Sequence, residues 1–488
     1  MNNGFSSLDW SVFVAYFLIL AITSYLFSRE TIHSSKEYFT SANQMPMFAV
    51  AISILATSQS AATFLGAPEF SYAHDFTFIG FYFSALLAVI FISLVFVPKF
   101  YELKVITVYE LLETRYGESA KKQAGIMFLI GRIMASGARL YIGALAISMI
   151  LFLDITFLHM IISIFILVFG ALLYTYFGGV KSVILSDVIQ AITYVSAGVI
   201  VLFYLYNTLG DVNILEILEQ NHKLKIIDTS WDGKFSIIGL LSGWLLLNIA
   251  AFGLDQDMTQ RVLSCRNKND ASKSLILSIV LTIPVVLLFL AIGALLFVHY
   301  QSADVVQNFS GKKITIFMYY ILHDMPEGLR ALVTVGAIAA ALSSTNSVLG
   351  AMASVAIEDL YKPYKLKQNS LLTDAYFVRA SKNAVLLFAL ILSLMAIVSY
   401  LWQQYSELSL IGFALGVMAF AYTGLLGVFF SAIFTSRGSK KTVPFALAGG
   451  FLTVLALQPY IFGIQIGFSW QIVLGSMVSF LIMQSSKG

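Results

Sequence analysis

The side chains best placed for chemistry in this sequence are polar residues set inside long apolar runs. One run, AISILATSQSAATFLGAPEF, carries Thr57, Ser58, Gln59, Ser60 and Thr63 in close succession, followed by Gly66 and Pro68. Hydroxyls and an amide packed this tightly cannot all bond back to one regular helix. Two readings fit. A discontinuous helix would turn unwound carbonyls toward a cavity; a seam of small residues would let two helices pack closely.

A second run, VGAIAAALSSTNSVLGAMASVAIEDLY, places Ala340, Ser343, Ser344 and Ser347 at i, i+3, i+4 and i+7. That spacing puts them on one helical face, and Asn346 stands beside Ser347. Hard cations prefer oxygen ligands. A monovalent ion can be held by neutral carbonyls and hydroxyls without burying a carboxylate. Serine hydroxyls facing broken-helix carbonyls would meet that need, and close helix packing is again the alternative.

Three charges fall inside apolar runs: Asp187 in VILSDVIQA, and Arg132 and Arg139 in GRIMASGARLY. A charge at mid-membrane costs about 2.5–3.5 kcal/mol on insertion scales, which favours a functional explanation. Asp187 could be a cation ligand, a proton site or a structural anchor. The arginines stand two helical turns apart and share a face. Either could hold a substrate carboxylate bidentately, or snorkel, or pair with an acid.

These residues need a membrane scaffold. Hydrophobic residues make up 59% of the 488 and charged residues 11%, against about a quarter charged in soluble domains. The net charge of +3 is too weak and scattered to indicate nucleic acid. Cys265 alone cannot build a disulfide framework or a thiolate metal site. The N-terminus, MNNGFSSLDW, lacks a basic n-region, so its first apolar run is expected to be retained. DQDMTQR alternates acids like a calcium loop but lacks the remaining ligands, and FGGVKS lacks the upstream glycine of a phosphate loop. No nucleophile–base–acid set is evident, so an enzyme is not expected.

Runs long enough to cross a bilayer are expected near Leu8–Ser28, Met45–Ser71, Ile79–Val97, Ala124–Phe152 and Phe157–Phe177. Others follow near Ile184–Tyr206, Ile237–Gly253, Leu275–Val298, Leu329–Ile357, Ala384–Leu401, Leu410–Phe434, Val443–Leu457 and Ile464–Met483. Basic residues gather in alternate loops, from Arg29 and Lys36 through Lys99–Lys122 and Arg261–Lys273 to Arg437–Lys441. Because such residues favour the cytoplasm, the N-terminus is expected outside and the C-terminus inside. The outer segment KKITIFMYYILHDM could form a short amphipathic helix.

These segments, taken in order, resemble the sodium/solute symporter family, whose members transport proline, sugars, pantothenate or sialic acid with sodium. Thr107–Gly117, TVYELLETRYG, is similar to the family's T-x-Y-E-x-L-x-x-R-(F/Y)-G loop. Tyr174–Gln190, YTYFGGVKSVILSDVIQ, resembles its Y-T-x-x-G-G-x-x-x-V-x-x-(T/S)-D-x-x-Q signature. DQDMTQRVLSCRN, AALSSTNS and YTGLLGVFFSAIFTSR follow where the family has comparable motifs.

The resemblance implies an all-α integral membrane fold: a core of five plus five inverted helices with peripheral helices outside it. The repeats would span 45–206 and 237–434, with 8–28 and 443–483 peripheral. Sodium would be held by backbone oxygens of Ala56, Gln59 and Ala340 and the hydroxyls of Ser343 and Ser344. A second sodium, as in sialic acid transporters, would map to Asp187, Ser343, Asn346 and Ser347, where Asn346 replaces the family's serine. Substrate would lie near Ser60, Thr63, Tyr82 and either Arg132 or Arg139, with Tyr82 standing where a glutamine is usual. The expected activity is sodium-coupled import of a small organic solute, a carboxylate such as sialic acid among the options, at the plasma membrane and without an obligate protein partner. Rival readings are a sodium-linked sensor, which would be expected to carry a soluble signalling domain, and a passive channel, which would conduct without saturation.

Overall fold

The structure, a computed structural model, describes residues 5–27, 32–231, 233–300, 308–309, 312–403, 410–463 and 466–486. Nearly all of it is helical. Among the described residues seven helices are long and apolar enough to cross a membrane, and two bent helix pairs qualify as broken spans. Arg29 and Ile464, used above for loop charge and a span boundary, lie outside the described residues.

The first helix, α1 (Ser7–Phe27), is followed by the broken pair α2 (Met47–Ser58) and α3 (Ala61–Ala73), bent by 63°. Gln59 and Ser60 between them take extended backbone angles, so the last carbonyls of α2 lose their helical donors. Of the two readings of the hydroxyl-rich run, this is the discontinuous helix. Two long helices, α4 (Ile79–Leu103) and α5 (Glu118–Phe152), come next.

Helix α6 (Phe157–Leu209) joins the expected fifth and sixth spans through a kink at Gly179, whose φ is 57° and ψ −154°. A Cβ there would lie 2.5 Å from the Tyr38 carbonyl oxygen. The position therefore requires glycine on both conformational and steric grounds. Tyr38 completes the contact by donating its hydroxyl to the Thr175 carbonyl at 2.5 Å.

A second break was not anticipated. The seventh span does not end at Gly253: α7 (Gly243–Gly253) passes through Leu254 and Asp255 into α8 (Gln256–Val262) with a bend of 57°. Arg261, counted above among loop charges, is buried within α8. Asp255 caps α8 by accepting from Asp257 N at 2.8 Å. Helix α9 (Lys268–Tyr300) then leads to α10 (Ile316–His323), the expected outer amphipathic segment. It is buried along most of its length rather than lying on the surface.

Helix α11 (Leu329–Ser354) is the axis of the molecule: in the apolar window of its span 89% of the residues are buried, against 17% in α1. Ala, Gly and Ser dominate it and allow this close approach from several sides. Its N-terminal end is tied to α1. Asp9 accepts from Gly328 N at 2.8 Å and Ala331 N at 3.3 Å, and faces Arg330 at 3.6 Å. A carboxylate there offsets the exposed N–H groups and the positive end of the helix dipole. Four further long helices close the chain, α12 (Asp374–Gln403), α13 (Leu410–Phe434), α14 (Val443–Ala456) and α15 (Phe468–Gln484), and shorter helices occur between the long ones.

Candidate functional site

A cavity opens beside the first break, with about 790 Å³ of empty space counting the part open to solvent. Ser60 and Thr63 reach it from the break and the start of α3, Tyr82 from α4, and Arg132 and Arg139 from α5. All five residues expected near substrate from the sequence thus line one space. Phe78, Phe81 and Phe252 supply apolar wall, and Asn248 of α7 adds an amide. Asn248 donates from Nδ2 to the Phe81 carbonyl at 3.3 Å. That donation fixes its amide orientation, and among the described residues its buried Oδ1 has no partner. Gln59 Nε2 donates to the Tyr82 hydroxyl at 3.3 Å, joining the break to α4.

Beneath the cavity runs a chain of buried charges. Arg132 contacts Asp255 at 3.3 Å through Nη1 and forms a direct ion pair with Asp257 through Nη2. Asp257 meets Arg261 Nη1 at 3.0 Å, and Arg261 Nη2 meets Asp187 at 3.0 Å. Tyr422 of α13 donates its hydroxyl to Asp255. Each acid is therefore compensated, as burial demands. Asp255, Asp257 and Arg261 escaped the reading of the sequence. In DQDMTQR they follow an apolar run and resemble a solvated loop, and only pairing across 125 and 74 residues buries them. The signal available was two acids and an arginine directly after the apolar run ending at Gly253, together with the acid Asp187 set inside a different apolar run.

Asp187 is the anchor of the cation-site candidates. Ser53 Oγ donates to it at 2.5 Å and Ser343 Oγ at 2.7 Å. Arg261 Nε in turn donates to Ser53 at 2.8 Å. Ser344 Oγ bonds back to the Ala341 carbonyl at 3.0 Å, and Ser347 Oγ to the Ser344 carbonyl at 3.0 Å. Helix α11, which carries Ala340, Ser343, Ser344 and Ser347, packs against α2, α3 and α6, and through Asp187 the Ser343 hydroxyl is linked to Ser53 of α2, the helix that also carries Ala56 and ends before Gln59. Both polar atoms of the buried Asn346 side chain, Thr57 Oγ1 and Gln59 Oε1 have no partner among the described residues. Unmet acceptors around a helix break suit a hard, monovalent ion better than a transition metal. Among the described residues no group of three His, Cys, Asp or Glu is assembled for a metal.

The chain is 27% identical to the sodium/sialic acid symporter SiaT of Proteus mirabilis, covering 97% of this chain and 94% of that protein. It is 28% identical to the sodium/sialic acid symporter NanT of Aliivibrio fischeri over 93% of this chain and 88% of that one. It is also 26% identical to the mouse sodium-coupled monocarboxylate transporter 2, over 93% and 72%. A substrate-bound, outward-open sodium-coupled sialic acid symporter shares the fold with a TM-score of 0.82 at 24% identity, over 98% and 97% of the two chains. A nucleobase-cation-symport-1 family transporter shares it more distantly, with a TM-score of 0.58 and 15% identity over 91% and 92%. The sequence model of the sodium:solute symporter family matches residues 38–451. With both broken helices, the cavity between them and that match in hand, the chain belongs to the sodium:solute symporter family and is a sodium-coupled membrane symporter.

Proposed function

We propose that this symporter imports a small organic solute bearing a carboxylate, by alternating access around the break between α2 and α3. The observation that carries the reading is the cavity itself: two arginines on one face of α5, with Ser60, Thr63 and Tyr82 around them. Relatives named for sialic acid and for monocarboxylates support an acidic solute.

Sodium would bind the carbonyls of Ala56, Gln59 and Ala340 and the hydroxyls of Ser343 and Ser344, clamping the break against α11. A second sodium would take Asp187, Ser343, Asn346 and Ser347. In the proposed topology the N-terminus is outside and the C-terminus cytoplasmic. Residues 45–206 and 237–434 form the two inverted repeats, and dividing α6 at Gly179 yields thirteen crossings. The sodium gradient, with a membrane potential that contributes about 2.3 kcal/mol per charge per 100 mV, drives accumulation. A transporter of this kind makes and breaks no covalent bond in its solute.

Proteoliposomes test the proposal. Uptake of sialic acid or a monocarboxylate is expected only with an inward sodium gradient. Equal uptake with potassium in place of sodium would sink the coupling, and sodium-driven uptake restricted to uncharged solutes would sink the carboxylate.

A further inference from the structure

The buried chain of charges begins at one proposed binding site and ends at another. Arg132 lines the large cavity, with Nη1 on Asp255 and Nη2 on Asp257. At the far end Asp187, which belongs to the proposed second sodium site, accepts from Ser343 at 2.7 Å. Asp257 and Arg261 stand between them and belong to neither site, although both are buried. Each is shared: Asp257 by Arg132 and Arg261, Arg261 by Asp257 and Asp187. A solute carboxylate can claim the fork of Arg132 only by displacing an acid that already holds it. A sodium ion at Asp187 likewise meets a guanidinium already in place.

The two holds of Arg261 are unequal. Nη1 reaches the carboxylate of Asp257 at 3.0 Å and its carbonyl at 2.7 Å, one turn earlier on α8. Residues at that spacing are neighbours on one helix surface. Only Nη2 reaches Asp187, at 3.0 Å and on another helix, while Nε donates to Ser53 at 2.8 Å. Arg261 can therefore leave Asp187 and stay paired with Asp257. A displaced Asp257 would draw it to that side.

We propose that Asp257 and Arg261 form an ion-pair relay that couples the solute to the second sodium. The solute carboxylate takes the arm of Arg132 that holds Asp257. Asp257 then draws Arg261 to itself, and Asp187 exchanges that guanidinium for sodium while Ser53 and Ser343 stay beside it. The carboxylate brings one negative charge and the ion one positive, so the buried total is unchanged when both are bound. A carboxylate alone strands an acid, and sodium alone stands against a buried arginine; breaking a buried pair is costly. Asp257 and Arg261 are thus positioning residues, acting on the ligands through Arg132 and Asp187. The relay rests on the carboxylate and second-sodium readings given above.

Binding of radiolabelled sialic acid and of propionate to the full chain in nanodiscs tests the relay, with choline replacing sodium at constant ionic strength. In the unmodified protein, saturating sodium is expected to tighten acid binding by about tenfold or more, with a sodium Hill coefficient above one. Saturating acid should lower the sodium requirement by the same factor, because coupling is reciprocal. Asp257→Asn removes the acid that the solute must displace, while Arg132 keeps Asp255 and Arg261 keeps Asp187. It is expected to tighten acid binding in choline and to lower the coupling factor by about tenfold. The Hill coefficient should fall toward one, since the first sodium site stays coupled. Asp257→Glu keeps the carboxylate and should retain most of the coupling. A merely structural loss would weaken both ligands and would not tighten binding in choline. Thermal unfolding identifies folded variants, and Asp257→Ser makes the same comparison should asparagine prevent folding. An unchanged coupling factor and Hill coefficient in a folded, uncharged variant would overturn the relay and leave the readings beneath it intact. A Hill coefficient of one in the unmodified protein would overturn the second sodium and the relay together. An unmodified protein that binds neither acid would overturn the carboxylate reading and the relay with it.

Discussion

Ser343 and Asp187, separated by 156 residues, are joined by a hydrogen bond of 2.7 Å from the serine hydroxyl to the carboxylate. The bond ties α11 to α6 at the level of the broken helix. It also orients the hydroxyl's lone pairs, the part of Ser343 that a cation would use.

Replacing Ser343 with alanine removes a proposed cation ligand and a tether at once. We expect the sodium concentration for half-maximal uptake to rise by roughly tenfold, the equivalent of ~1.4 kcal/mol. Uptake measured across a sodium series checks this. An unchanged sodium dependence would remove Ser343 from the site.

Arg261 compensates both Asp187 and Asp257. Arg261→Met leaves the buried Asp187 without a counter-ion and Asp257 with Arg132 alone, and breaking such a pair costs about 3–5 kcal/mol. Thermal unfolding in detergent should show a large drop in midpoint. Adding Asp187→Asn to Arg261→Met should restore part of it, because the stranded charge is gone. Additive losses in the double variant would mean that the two groups are energetically independent.

Gly179→Ala places a methyl group 2.5 Å from the Tyr38 carbonyl oxygen in a backbone region reserved for glycine. The strain alone is about 1–3 kcal/mol. A lowered unfolding midpoint is expected, and Tyr38→Phe, which removes the hydroxyl bond but keeps the ring, should cost less. A neutral Gly179→Ala would show that the kink can straighten.

Asp9 on α1 caps α11 through two backbone N–H groups. Asp9→Asn keeps an acceptor but loses the charge opposite Arg330. Asp9→Ala loses both and should be the more destabilising, with about 0.5–2 kcal/mol from the cap. Unfolding midpoints of the pair check the order. Equal loss in both would assign the effect to charge alone.

The parts of the site carried by one stretch of sequence were readable from it. Thr57 to Thr63 crowd hydroxyls and an amide into one helix, which fitted either a break or a close-packed seam, and the helix breaks there. Ala340 to Ser347 repeat with the helical period, and they lie on α11, which packs against both halves of the broken helix. The second break left no such mark. Leu254 and Asp255 are ordinary residues for a helix end, and the charges that follow look like a loop leaving the membrane. Their burial depends on Arg132 and Asp187 arriving from other helices, information that no local window contains. The resemblance to known symporters supplied the fold, and the arginine fork's prior occupation became visible only in three dimensions.

The chain of charges from Asp255 through Arg132, Asp257 and Arg261 to Asp187 has a consequence for motion. Arg132 lines the large cavity beside the break, while Arg261 lines a second, smaller one of about 250 Å³ with Tyr38, Thr175, Gly179 and Ser347. The string of ions is thus a bolt shot between two chambers. Three helices, α5, α6 and α8, each hold a segment of it, and no segment can be left bare in so dry a place. Any path that joined the two chambers would need the bolt either carried aside whole or handed, charge by charge, to new partners.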